Sequence, residues 1–111
     1  MIAVTLPLRT VNELNGSHSH WRVVSKRRKH IRAMSALMTP VAPLPCVVRM
    51  TRVSAGELDD DGLRAALKSV RDGIADRLGV KDNDKRVAWL YGQAKCRRGQ
   101  FCVRVEIEEQ Q

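Results

Sequence analysis

The chain has 111 residues, of which 43% are hydrophobic, and its formal net charge is +8. This length suits one domain with a modest core and excludes a chain of several domains. The excess of lysine and arginine favours a polyanionic partner, and no apolar run reaches the length of a transmembrane helix, so we expect no membrane contact.

The first predicted elements are a strand and a loop. Residues 2–6 alternate between apolar and small or polar side chains, which predicts a strand that Pro7 ends. The polar residues 9–19 predict a loop. His18 and His20 have no cysteine or glutamate at the spacing of a zinc site, so we interpret them as exposed histidines able to contact phosphate.

The cysteine count indicates the compartment. The chain has three cysteines, an odd number without the paired spacing of a metal site: Cys46, Cys96 and Cys102. Reduced thiols are therefore expected, and Met1 leads directly into the first strand without a signal peptide. We predict a cytoplasmic protein without a small-molecule cofactor.

Residues 21–38 are predicted to form a helix whose charge has one sign. Its apolar face is predicted to contain Val24, Ile31, Met34, Leu37 and Met38. Its basic residues, in a stretch free of acidic side chains from residue 14 to residue 56, are Arg22, Lys26, Arg27, Arg28, Lys29 and Arg32. Because nothing local neutralises this charge, contact with phosphate is favoured over a solvated helix face or a localisation signal.

The next predicted elements are a stiff connector and a strand. Three prolines in residues 39–45 exclude both a helix and a central strand there. Residues 46–53 alternate again, with one face formed by Cys46, Val48, Met50 and Arg52. This second strand leads into an acidic segment.

Residues 57–84 are predicted to contain a helix with carboxylates at both ends. Its apolar stripe consists of Leu63, Leu67, Val70, Ile74 and Leu78. One of Asp59, Asp60 and Asp61 is the expected N-cap, and Gly79 is placed to end the helix. Two more aspartates follow, Asp82 and Asp84.

The clustered carboxylates, with Lys68 nearby on the helix, suit a hard divalent cation and a phosphate. Capping explains one or two of them, but not three adjacent carboxylates and two more beyond the helix. A calcium loop of the EF-hand type is excluded because its bidentate acidic position falls on Lys68. Pairing with Lys81, Lys85 and Arg86 stays open as an alternative.

Two further strands complete the predicted fold. Residues 86–95 predict the third strand, in which Trp89 and Tyr91 are interpreted as packing residues, and residues 101–107 predict the fourth after a turn at Arg98-Gly99. We therefore predict a small α/β fold as one domain over residues 1–111. Its mixed sheet has about four strands, it has two main helices, and its order is β-α-β-α-β-β.

These motifs resemble the RusA-like crossover-junction endodeoxyribonucleases. The matching positions at the opening of the helix, on the helix and in the acidic turn and strand after it are Asp59, Asp61, Leu63, Lys68, Asp72, Asp82, Asp84 and Val87. Near the N-terminus the resemblance covers Leu6-Pro7-Leu8, Asn15, His20 and Trp21. It spans most of the chain, in short motifs.

The chain departs from this family in three places. Gly62 stands where the family has Asn, and Lys68 lies three residues farther from Asp61 than in the usual pattern. The acidic turn is Asp-Asn-Asp, whereas the family has an adjacent pair. Counting from the helix places the third ligand at Asp82 or the asparagine after it, and counting back from the next strand places it at Asp84, which we prefer.

The resemblance implies a nuclease that cuts four-way DNA junctions as a homodimer. Mg²⁺, or alternatively Mn²⁺, would be held by Asp59, Asp61 and Asp84, with Asp82 as the alternate, while Lys68 would place positive charge on the scissile phosphate. The expected DNA contacts are Asn15, His20, Arg22, Lys26, Arg27, Arg28, Lys29 and Arg32. The alternative is a basic DNA-binding protein without chemistry, either an accessory protein or a decayed nuclease.

Overall fold

The computed structural model describes residues 1–10 and 21–110. Its elements in chain order are β1 (Ile2–Leu6), α1 (Trp21–Met38), β2 (Cys46–Ser54), α2 (Asp60–Leu78), β3 (Val87–Lys95) and β4 (Cys102–Glu109). The predicted α/β class and the order β-α-β-α-β-β are confirmed. The last two strands each begin one residue later than predicted.

The four strands form one mixed sheet in the order β1-β4-β2-β3. β4 runs antiparallel to both β1 and β2, and β2 runs parallel to β3. It follows that β1, β2 and β3 share one direction. We call the edge where these three strands end the carboxyl edge and the edge where they begin the amino edge.

The core lies between one face of the sheet and the two helices. The predicted alternation of β2 is confirmed, and the face with Cys46, Val48 and Met50 points inward, since these residues are fully buried. The predicted stripe of α2 is confirmed as well, and Leu67 and Ile74 on it have no exposed surface. Burying such aliphatic side chains stabilises the fold by about 1.5 to 3 kcal/mol each, so this packing fixes α2 on the sheet.

Local signals set the two ends of α2 as expected. The Asp59 carboxylate caps the helix by accepting a hydrogen bond from the backbone N–H of Gly62 at 2.7 Å. At the other end Gly79 adopts the left-handed conformation, with φ of 72°, which glycine tolerates without strain.

The contact between α1 and α2 depends on Gly73. A Cβ atom at this position would lie 2.3 Å from the carbonyl oxygen of Arg32 and 2.7 Å from Cβ of Ser35. Only glycine permits so close an approach. The contact buries Ile31 and Ser35, whereas Leu37 is 75% exposed. The prediction that Leu37 belongs to the apolar face is therefore wrong, because it lies about 120° around the helix from Ile31.

No helix in residues 1–10 and 21–110 has an apolar stretch long enough to cross a bilayer.

Candidate functional site

The two groups of aspartates lie at opposite ends of α2. This helix connects the carboxyl edge of β2 to the amino edge of the parallel strand β3. With 19 residues it is roughly 27 Å long, so Asp59 at its start and Asp84 beyond its end are separated by about the width of the domain. Asp82 lies beside Arg71, which is ten residues or about 15 Å along the axis from Asp61. A shared cation needs ligand oxygens about 2 Å from the metal, which this separation rules out within one chain.

The structure accordingly does not bring the three predicted metal ligands together. Among the described residues, no group of three or more His, Cys, Asp and Glu side chains could hold a metal ion. Asp59 is engaged as the helix cap. Asp60 and Asp61 are exposed in the first turn, where the positive end of the helix dipole favours carboxylates.

Asp84 is held by Arg86. Its Oδ1 accepts from the backbone N–H and the Nε of Arg86 at 2.9 and 3.1 Å, and its Oδ2 accepts from Nη2 at 2.8 Å. The side-chain hydrogen bonds of Arg86, followed by its backbone hydrogen bond, lower the pKa of Asp84 to about 2. The open alternative that the acidic turn pairs with a basic neighbour thus applies to Asp84.

Replacing Arg86 with Ala is expected to raise the pKa of Asp84 from about 2 towards its ordinary value of about 3.9. The return is incomplete because the backbone N–H at position 86 remains. A lowered folded-state pKa means that any stability contributed by this pair is present above about pH 4 and is lost as pH falls through 2. NMR titration of the Asp84 carboxyl carbon in both proteins measures the shift, and identical midpoints would contradict it.

Asp82, in contrast, lines a groove beside the second half of α2. The groove has a volume of about 510 Å³, and its charged and polar lining residues are Arg32, Lys68, Asp72, Asp76, Lys81, Asp82 and Asn83. Two of the predicted site residues, Lys68 and Asp82, therefore face the same space. We call this space the acidic groove.

The carboxylates of the acidic groove differ in how firmly basic side chains bind them. Asp76 forms a bidentate ion pair with Arg32, whose Nε and Nη2 donate to the two carboxylate oxygens at 2.7 and 2.8 Å. These hydrogen bonds lower the pKa of Asp76 and raise that of Arg32. Lys68 Nζ lies 3.6 Å from Asp72 Oδ2, and 68% of the Lys68 side chain remains exposed. Asp72 is thus paired with Lys68 through one oxygen, whereas no ion pair to Asp82 is found within the described residues. These two are the carboxylates of the groove that form no bidentate contact.

The residue types in the groove are those that hold a magnesium ion jointly with a phosphate. Mg²⁺ in phosphate-handling sites is commonly bound by one or two carboxylates together with phosphate oxygens, rather than by a cage made only of protein. Asp72 and Asp82 supply two carboxylates, and the exposed ammonium of Lys68 supplies a charge for phosphate. The groove has the residue types for phosphodiester chemistry.

The first half of α1 is a basic, exposed segment. None of the residues 21–30, which we call the basic arm, is buried, and the first buried residue of α1 is Ile31. Of the predicted DNA contacts, the arm carries Arg22, Lys26, Arg27, Arg28 and Lys29. Arg32 lies beyond the arm and is paired with Asp76, while Asn15 and His20 fall outside the described residues.

Arg71 is a site residue that was not predicted from the sequence. Its Nη1 donates to the hydroxyl of Tyr91 at 2.8 Å, its Nη2 donates to the backbone carbonyl of Asp82 at 2.6 Å, and its guanidinium lies 4.8 Å from the centre of the Trp89 ring. Arg71 thereby fixes the turn that carries Asp82. The sequence did contain one signal, because Arg64 and Arg71 are seven residues apart and therefore lie on one face of the helix. Both arginines contact Tyr91.

The interpretation of Trp89 and Tyr91 as packing residues is confirmed, since both pack against the core.

No protein-family model matches the chain, and a search of curated proteins found no match. The resemblance described above therefore stays a prediction from the sequence.

Proposed function

We propose that this chain is a metal-dependent DNA endonuclease that acts as a homodimer, with its reaction centre in the acidic groove. The observation that carries the proposal is that Lys68, Asp72 and Asp82 line one groove with Arg32 of the basic helix. Phosphodiester cleavage needs a site for a cation, a positive charge beside the phosphate and contacts that bind the flanking DNA backbone. Carboxylates, an amine and a basic surface provide these three.

In this proposal Asp72 and Asp82 would hold Mg²⁺, or alternatively Mn²⁺, when the substrate is bound. The ion supplies Lewis-acid charge to the phosphodiester when it is bound. Lys68 adds a positive charge from a helix fixed on the core, and the hydrogen bond from Arg71 to the carbonyl of Asp82 keeps the turn in place. Positioning of this kind lets charge stabilisation act without reorganisation during the reaction.

The DNA backbone is proposed to run from the basic arm to the acidic groove. Arg28 lies one helical turn before Arg32, on the same face of α1, and Arg32 lines the groove. Arg28 and Lys29 are exposed, and no ion pair to either is found in the described part of the chain. A strand held by these cations would lie beside Lys68.

Replacing Arg28 and Lys29 together with Ala is expected to weaken junction binding and to flatten its salt dependence. Each lost phosphate contact removes about 0.9 from the slope of log K against log salt concentration, so the double variant should lose about 1.8. Arg49→Ala/Arg104→Ala is the matched control, because both arginines are exposed on the sheet, away from α1. Fluorescence anisotropy over a salt series measures both slopes, and equal losses would contradict the proposed path.

Asp61 enters the proposed site through the second subunit. The Cα atoms of Asp61 and Asp72 are about 16 Å apart along α2, too far for one cation within a chain. A two-fold dimer repeats every contact, so the start of one α2 can face the groove of the other subunit at both sites. Adjacent carboxylates repel each other, and a shared cation would relieve that repulsion. We therefore propose that Asp61 contributes to the partner's site.

The decisive experiment is a cleavage assay on a four-way DNA junction with and without Mg²⁺. The proposal expects nicked product only when the metal is present, from sites related by two-fold symmetry. Size-exclusion chromatography with light scattering establishes the dimer in the same preparation. Tight junction binding without any metal-dependent product would refute the endonuclease.

That outcome would instead support the second candidate, a basic DNA-binding protein without chemistry. It is favoured by a specific observation: two of the four predicted metal ligands are engaged within the chain, Asp59 as a helix cap and Asp84 in an ion pair with Arg86. Both candidates use the basic arm, so only the metal-dependent product separates them.

A further inference from the structure

A second cationic site lies at the carboxyl edge, at the end of the sheet remote from Asp82. A pocket of about 470 Å³ is formed where the loops after β1, β2 and β3 meet, and its lining includes Arg9, Gly56, Arg98 and Phe101. None of the described residues that line it is acidic. We call it the arginine pocket.

Behind the wall of this pocket is a buried arginine, Arg52, whose hydrogen-bond acceptors among the described residues are all neutral. Arg52 is only 8% exposed. It donates to the hydroxyl of Thr10 at 3.1 Å and to the carbonyls of Gly56 and Thr10 at 3.2 and 3.4 Å, all of them neutral acceptors. In residues 1–10 and 21–110 no ion pair to Arg52 is found. Burying a charge among neutral groups destabilises the fold through lost hydration unless an opposite charge lies near.

These contacts also hold the pocket in shape. Gly56 lines the pocket and Thr10 follows Arg9, so Arg52 fastens the loop after β1 to the loop after β2. The third wall is the turn between β3 and β4, in which Gly99 has a φ of 88°. Two exposed arginines, Arg9 and Arg98, therefore line one hollow whose walls Arg52 holds together, and this arrangement suits an anion such as a phosphate.

An aromatic ring stands beside this charge. Phe101 is 42% exposed, and the guanidinium of Arg9 lies 6.0 Å from its ring centre. An exposed ring next to paired arginines is the combination that binds unpaired nucleotides, because the base stacks on the ring while the phosphate contacts the cations. In a duplex the bases are stacked inside and cannot reach such a ring.

We propose that the arginine pocket binds one nucleotide of a single-stranded DNA segment, with the phosphate between Arg9 and Arg98 and the base against Phe101. This inference rests on the proposed function in that the ligand is DNA. It extends that function by assigning a binding site for unpaired DNA, separate from the basic arm and the acidic groove.

The test is the affinity of Phe101→Ala for a short oligothymidylate, measured by fluorescence anisotropy without metal. Loss of one stacked base should weaken binding about five- to a hundredfold, whereas Phe101→Tyr should bind like the unmodified protein. An abasic oligonucleotide of the same length should bind Phe101→Ala and the unmodified protein equally. Arg98→Ala should weaken binding of both oligonucleotides. Circular dichroism verifies that each variant is folded.

Unchanged binding of oligothymidylate by Phe101→Ala would overturn the base contact, and failure of the unmodified protein to bind it would overturn the whole site. The outcome is independent of cleavage. If four-way junctions stay uncut in Mg²⁺ while Phe101→Ala still loses affinity, the endonuclease fails and the pocket stands. If junctions are cut and Phe101→Ala binds normally, the pocket alone fails.

Discussion

Replacing Asp82 with Asn is expected to reduce Mg²⁺-dependent junction cleavage by two or more orders of magnitude and to leave junction binding unchanged. The substitution keeps the shape of the side chain but removes a negative charge that would hold the cation. A cation in this role is worth several kcal/mol of transition-state stabilisation, and each 1.36 kcal/mol is a factor of ten in rate. Single-turnover cleavage and anisotropy on the same junction separate the two effects.

Asp84→Asn is the matched control, since it removes the same charge two residues away. The Asp84 carboxylate is already bound by Arg86 and does not line the acidic groove, so its loss should change cleavage only slightly. The reverse pattern, with Asp84→Asn inactive and Asp82→Asn active, would return the ligand to the position first preferred from the sequence.

The role of Asp61 in the dimer can be tested with the same variants. Asp61→Asn and Asp82→Asn should each be inactive as homodimers. If Asp61 serves the partner's groove, a dimer with one subunit of each variant contains one intact site. Mixing the two variants and allowing their subunits to exchange should therefore restore part of the activity. If both residues are needed in the same chain, the mixture has no intact site and stays inactive, which would contradict a site shared between subunits.

Replacing Gly73 with Ala is expected to lower the free energy of unfolding by about 2 to 3 kcal/mol. In an exposed helix the same change stabilises by about 0.5 to 1 kcal/mol, but here the new methyl group would lie 2.3 Å from a backbone oxygen of α1. The clash therefore outweighs the gain in helix propensity. Urea denaturation with unchanged m-values measures the difference.

Gly56→Ala is the control for this substitution. A Cβ at position 56 would have no heavy atom within 4 Å, so stability should stay within about 0.5 kcal/mol of the unmodified protein. Ser35→Gly combined with Gly73→Ala should recover only part of the loss, because the carbonyl of Arg32 is nearer than Ser35 Cβ. Equal stability of Gly73→Ala and Gly56→Ala would show that α1 moves aside freely.

Periodicity and capping signals were enough to predict the elements. The two-residue period of β2 and the helical period from Leu63 to Leu78 are each unambiguous in the sequence. Asp59 and Gly79 set the ends of α2 through a side-chain hydrogen bond and a left-handed backbone conformation, which depend only on neighbouring residues. The misplaced Leu37 shows the limit. Which stripe of α1 becomes buried is decided by the partner helix at Gly73, and spacing within α1 does not contain that information.

The site was harder to predict than the fold because it depends on distances between elements. The resemblance implied that Asp61 and Asp84 meet, but β2 and β3 are parallel, so the helix between them carries its two ends to opposite edges. Arg86 and Arg71 then decide which aspartate of the acidic turn faces the groove. The sequence names Arg86 only as one of three basic neighbours of the turn, and it does not contain the distance between Arg71 and Asp82.

The sheet order also bears on how the chain folds. β2, α2, β3 and β4 are consecutive, and their contacts can form without the N-terminal part of the chain. β1 is a strand of five residues that, within residues 1–10 and 21–110, pairs with β4 alone. Ile2 lies opposite Ile107, so docking of β1 must close a loop spanning nearly all of the described chain. Closing a loop of that length is entropically unfavourable. The hydrogen bonds and packing of β1 compensate for this loss only when β4 is already in place. We therefore expect β1 to be the last strand to dock during folding and the first to detach.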